Sequence, residues 1–139
     1  MTRFYLLFSA AGLFGVALSY GVAPAVVLPK VLDITVGGTD ATHLFRAYMG
    51  LYLGMIALLI LGACQSKFTR AAVIAEVFFM FGLAGGRVLS IIVDGVPSVL
   101  LIGYAVVEVV LGLWGILILK QLFTMQQGHD RTKAQGNAS

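Results

Sequence analysis

Charge is scarce in this sequence. Of 139 residues, nine are Lys or Arg and six are Asp or Glu, 11% in all. A water-soluble domain carries about a quarter. The formal net charge is only +3. No basic stripe interleaved with aromatics is present, which argues against a nucleic-acid partner. Cysteine is nearly absent. Cys64 stands alone, which excludes an intrachain disulfide and a multi-cysteine metal site. Histidine occurs twice, at His43 and His129, with no second ligand at metal spacing, so no metal centre is expected. No glycine-rich phosphate cradle and no Ser-His-Asp set can be assembled, which argues against an enzyme. Proline is confined to positions 24, 29 and 97, leaving long stretches free to be helical.

What the chain does have is apolar surface. Hydrophobic residues make up 60% of it, and the mean hydropathy is +0.99. One small core cannot bury that much. The apolar residues fall in four runs, about 4–28, 43–64, 68–93 and 97–122. Each is roughly 20–25 residues, the length of a helix across about 30 Å of hydrocarbon. The runs are continuous and do not alternate, which favours helices over barrel strands. The sequence therefore predicts an all-α membrane protein: a single antiparallel bundle of four transmembrane helices over residues 1–125.

The breaks between runs fit that reading. Pro24 and Pro29 bend or end the first helix. Thr39, Asp40 and Thr42 are candidate N-caps for the second, and Ser66 for the third. "DGVPS", residues 94–98, reads as a tight turn that makes the last two helices a hairpin. Residues 126–139 read as a polar, disordered tail on the cytoplasmic side. Arg3, an apolar stretch and "GVA" ending at Ala23 also fit a secretory signal loosely, but the run is long for one. Arg3, Lys67, Arg70, Lys120, Arg131 and Lys133 fall on one side of the membrane, and Lys30 and Arg46 on the other. Both termini are therefore expected to be cytoplasmic.

Small residues recur four apart: Ala11, Gly15 and Ser19; Gly50 and Gly54; Ala71 and Ala75; Gly82 and Gly86. Gly112 and Gly115 flank one face of the last helix. Such residues let membrane helices approach closely. Packing within the bundle is the simple use, and a homodimer seam through Gly50 and Gly54 is the other. The tyrosines Tyr5, Tyr20, Tyr48 and Tyr104, with Trp114, read as belt or packing residues.

Few charges lie inside the runs. Arg87 and Glu76 are in the third, Glu108 in the fourth, and Arg46 one turn into the second. A charge at membrane depth costs about 2.5–3.5 kcal/mol, so such groups turn inward and pair. At a 1.5 Å rise per residue, Arg87 and Glu108 differ in depth by about 7 Å, within reach of an Arg side chain. Arg87 is expected to pair with Glu108, with Asp94 as competitor at the water boundary. Arg46 is expected to join them, leaving one spare positive charge for a lipid phosphate or a carboxylate. Glu76, deeper, needs Lys120, a tyrosine or a proton.

These pieces, "FRAYMGLYLG" and "GGRVLSIIVDGVPS" with Glu108 and Gly112, resemble a bacterial family of small four-helix membrane proteins known as a domain of unknown function. More distantly the architecture is similar to the DoxX group, which has been linked to quinol or thiol oxidation. The resemblance implies the four-helix fold and the Arg46, Arg87 and Glu108 set. It implies no reaction. Two functions follow as expectations. One is a non-catalytic accessory subunit of a larger membrane complex, or a lipid-associated protein. The other is a small carrier or redox-linked enzyme that holds a quinone or organic anion. A structural homodimer is the third possibility.

Overall fold

The computed structural model describes the backbone of residues 1–136, with side chains to Met125 and at Gln127. It contains five helices: α1 (Thr2–Gly21), α2 (Pro24–Val31), α3 (Gly38–Cys64), α4 (Ser66–Asp94) and α5 (Val99–Gly136). Four stretches are long and apolar enough to cross a membrane: Thr2–Gly21, Gly38–Cys64, Ser66–Asp94 and Val99–Met125. The protein is a multi-pass membrane protein with α1, α3, α4 and α5 running alternately up and down.

The first apolar run is two helices, not one. Pro24 lacks an amide hydrogen and cannot continue α1. It sits instead at the first turn of α2, where no hydrogen bond is owed. The span accordingly ends at Gly21, and the short α2 follows it on the far side. The chain then turns back at Asp33, whose φ of 54° is left-handed, a conformation that Asp tolerates better than most residues.

Two helix starts lie one residue or more before the expected caps. Gly37 caps α3, so Thr39 and Asp40 fall in its first turn, and Thr42 Oγ1 bonds back to the Gly38 carbonyl at 3.1 Å. Gln65 caps α4, with Ser66 as its first residue. The α4–α5 turn needs glycine: Gly95 has φ +98°, which a side chain would strain. The last helix does not stop near Leu122. Its backbone stays helical to Gly136, where a disordered tail was expected over 126–139, and 137–139 lie outside the described residues. Polarity keeps the tail out of lipid, but Met, Gln, Lys and Ala are good helix formers and no proline intervenes.

The bundle is a sequence of neighbours. α1 packs along α3, α3 on α4 and α4 on α5, while α1 meets α5 only slightly. That last seam closes around Tyr5. Its hydroxyl donates to the Leu111 carbonyl at 3.1 Å, and its ring lies edge-on to Trp114. The core below it is built from Leu6, Leu13, Leu59, Val73, Met80 and Ile118.

Glycine supplies the close approaches, though only in part through the glycines expected. A side chain at Gly62 would collide with the Ala72 methyl, one at Gly21 with Met49, and one at Gly115 with Val77 and Tyr5. Of the predicted packing glycines, Gly115 and Gly112 fit, Gly112 against the Phe81 ring. Gly50, Gly54, Gly82 and Gly86 have open space where a side chain would stand. The reason is helix phase: Gly50 and Gly54 share the outward face of α3, opposite Tyr52, Ile56 and Leu59. Replacing Gly62 with Ala should therefore cost about 1–3 kcal/mol through overpacking. Gly54→Ala should be neutral. Thermal retention of the monodisperse peak on size-exclusion chromatography will separate the two.

Candidate functional site

The polar centre of the bundle is built on α4 and α5. Arg87 lies seven residues before the end of α4, about 10 Å into the span. Its Nε donates to both carboxylate oxygens of Glu108, each at 2.9 Å. The two side chains are 19% and 9% exposed, so the charges meet largely out of solvent. The guanidinium also stands over the Tyr104 ring at 5.6 Å, a cation–π distance. Nε carries the whole interaction. Among the described residues the rest of the guanidinium forms no second ion pair, and the Tyr20 hydroxyl is its other hydrogen-bonding neighbour. An arginine has several N–H donors and no acceptor, so Glu108 and Tyr20 do not use them all.

Around the pair lies space. A cavity of about 200 Å³ is bounded by Ser9, Gly12 and Leu13 of α1, Tyr52 of α3, Arg87 of α4 and Glu108 of α5. Its mouth includes two exposed residues, Gly12 and Val107, on the thin α1–α5 seam. A wider groove of about 480 Å³ runs between α3 and α4 and shares Tyr52, Leu83 and Arg87 with the cavity. Gly82, Gly86 and Ser90 line one side of that groove, and Tyr20, Phe45 and Tyr48 another. Arg87 thus borders both spaces. The walls are otherwise apolar or phenolic. Tyr20, Tyr52 and Tyr104 are all electrostatic neighbours of the Arg87–Glu108 pair.

The other expected members stand elsewhere. Arg46 is exposed and makes no hydrogen bond or ion pair among the described residues. It shares the outward face of α3 with Gly50, Gly54 and Ala57, so the same helix phase that displaces the glycines carries Arg46 away from Glu108. The extra positive charge inferred for the cluster is therefore not there. Asp94 is also exposed, and it accepts from Ser90 Oγ at 2.8 Å instead of meeting Arg87. Glu76 is fully buried beside Tyr5 and Ser9, and Lys120 is exposed and forms no ion pair with it. His43 and Cys64 lie outside the site, Cys64 exposed at the end of α3. No cluster of three metal-ligating side chains occurs among the described residues.

Three contributors lie outside the set that the sequence singled out. Ser9 and Gly12 lie beside the small-residue stripe Ala11, Gly15 and Ser19, which follows the neighbouring face of α1. Spacing was the available signal: Ser9, Gly12, Leu13 and Val16 recur at three, four and seven residues, the inward stripe of a helix. Tyr52 shares the inward face of α3 with Ile56 and Leu59.

Removing Arg87 alone leaves Glu108 buried without its partner, a loss of about 3–5 kcal/mol for a fully buried pair and somewhat less here. Arg87→Ala should lower the yield of monodisperse protein sharply, and Arg87→Leu with Glu108→Leu should restore it. Arg46→Ala should behave as wild type. Wild-type yield and melting of Arg87→Ala would show that the pair contributes nothing to assembly.

No curated protein and no solved structure matches the chain. One family model does, described as Domain of unknown function (DUF4345), and it aligns with residues 1–119. That stretch holds all of α1 to α4 and α5 as far as Leu119, with Arg87, Glu108 and every cavity residue named above. The chain belongs to the DUF4345 family.

Proposed function

We infer that this is a non-catalytic membrane protein that holds an amphiphilic molecule, a lipid or lipid-like organic acid, with its polar group against Arg87. The observation that carries the reading is the guanidinium of Arg87, with more N–H donors than Glu108 and Tyr20 take up, bordering an otherwise apolar cavity. Buried donors without acceptors are costly, and a ligand oxygen would satisfy them. A phosphate or carboxylate suits a guanidinium best, because charge-assisted bonds are about twice as strong as neutral ones. Glu108 limits the appetite for anions by neutralising Arg87 beforehand. A carbonyl oxygen is therefore acceptable too, and the distant likeness to the DoxX group would make that carbonyl a quinone's. Arg87 and the Tyr52 and Tyr104 phenols are the residues that would hold it.

A second reading, as accessory subunit or homo-oligomer, has its own observation. Arg46, Gly50, Gly54 and Ala57 form an outward strip of α3 with room for another helix. Small residues on a lipid-facing strip allow close docking. Orientation follows from Lys and Arg: Arg3, Lys67, Arg70 and Lys120 lie at the end holding the termini, which the positive-inside rule assigns to the cytoplasm of a bacterial inner membrane.

Native mass spectrometry of protein extracted in its own lipids tests both readings. The expected result is a co-isolated lipid or quinone, diminished at least tenfold by Gly12→Phe, which fills the cavity from open space without colliding with a neighbour at its first carbon. Ligand retention unchanged in Gly12→Phe would remove the cavity from the account. A dimer or hetero-complex mass that disappears in Gly54→Leu, with ligand unaffected, would favour the second reading.

A further inference from the structure

One polar group in the bundle takes no part in the site just described. Glu76 lies ten residues into α4, about 15 Å from the end that holds the termini, close to mid-membrane. Its exposure is 0%, and neither carboxyl oxygen has a hydrogen-bond partner among the described residues. Ser9 on α1 is 1% exposed, and its hydroxyl is equally unpartnered. The two side chains are neighbours. Tyr5, the next polar group, already donates its hydroxyl hydrogen bond to the Leu111 carbonyl. Among the described residues Glu76 forms no ion pair, and the polar side chains beside it are Ser9 and Tyr5, both from α1.

An unpaired carboxylate cannot be kept in such a place. The cost of burying the charge far exceeds that of taking up a proton. A neutral carboxyl has one O–H to donate, and the idle Ser9 oxygen beside it is an acceptor. The same Ser9 also borders the Arg87–Glu108 cavity, while Glu76 does not. Ser9 is thus the polar link between the closed part of the bundle and a cavity that has room for several waters and five groups to hold them: Ser9, Tyr52, Arg87, Tyr104 and Glu108.

We propose that Glu76 and Ser9 form a proton-binding site in the membrane interior, loaded from the Arg87–Glu108 cavity through the Ser9 hydroxyl. In the loading step a hydronium ion on the cavity waters gives a proton to Ser9 Oγ, the hydroxyl's own proton passes to a Glu76 oxygen, and a neutral water is left behind. One O–H bond breaks for each that forms, and no electrons are transferred. The proposal does not depend on what else the cavity holds. A protein that binds no lipid would still show the proton site, and a lipid-binding protein whose Glu76 is ionised would not.

Infrared spectroscopy of the full chain in phosphatidylcholine nanodiscs provides the test. At neutral pH the wild type is expected to show a protonated-carboxyl C=O band that disappears in Glu76→Gln. In Ser9→Ala the band should persist and move to higher frequency as its hydrogen bond is lost, which reports on the site even if Glu76→Gln fails to fold. On transfer to D₂O the band's isotope shift should appear at least tenfold more slowly in Gly12→Phe, which blocks the cavity, than in wild type. Absence of the band in wild type, its survival in Glu76→Gln or its indifference to Ser9→Ala would overturn the site. Equal exchange rates in Gly12→Phe and wild type would overturn the route.

Discussion

The bond between Arg87 and Glu108 is the constraint around which this bundle is arranged. Two charges in an apolar slab have no cheap alternative to each other, since neither water nor backbone can take the partner's place. Their pairing fixes the relative height and rotation of α4 and α5, elements that the tight turn at Gly95 already joins. With those two helices set, Gly112 meets Phe81 and Gly115 meets Val77. Tyr5 then reaches Leu111 over Gly115 and draws α1 against α5 at one end only. The gap left at the other end is the cavity, so the ion pair and the space beside it arise from one geometry.

Close packing is spread unevenly over the molecule. The α3–α4 hairpin is tied by Gly62 against Ala72 and by Thr69 Oγ1, which donates to the Gly62 carbonyl at 2.7 Å. The far ends of the same helices diverge, and aromatic side chains fill the wedge. Tyr52 meets Phe79 edge-on at 5.3 Å, and Tyr20 stacks on Phe45 at 6.2 Å. Rigid contact at one end and large flat rings at the other leave room for a groove without exposing backbone, which lipid would not tolerate.

The four spans could be read from the sequence because length and hydropathy are properties of a segment, indifferent to which face points where. The partner of Arg87 could be read for a related reason: charges in the runs are few, and depth follows from counting residues. Rotation about each helix axis was harder. Gly50-x-x-x-Gly54 has the spacing of a packing motif on whichever side of α3 it falls, and the inward side belongs to Tyr52, Ile56 and Leu59. Arg46 followed the glycines outward for the same reason. Pro24 carried two meanings, since a proline ends one helix and begins another equally well. Ser9 was hidden by size: a lone hydroxyl in an apolar helix stands out only once its neighbours are known.

The thin seam between α1 and α5 is one of two approaches to Arg87, and it sets the terms on which a molecule enters the smaller cavity. Gly12 and Val107, the exposed residues of the cavity lining named above, stand within helices long and apolar enough to cross a membrane. A molecule entering there has already dissolved in the bilayer, and its relevant concentration is its mole fraction among lipids. For an oily compound that fraction exceeds its aqueous concentration by orders of magnitude. A site with modest intrinsic affinity is then well filled in the membrane and empties on dilution into detergent, and chain solubility becomes as much a part of selectivity as the headgroup is.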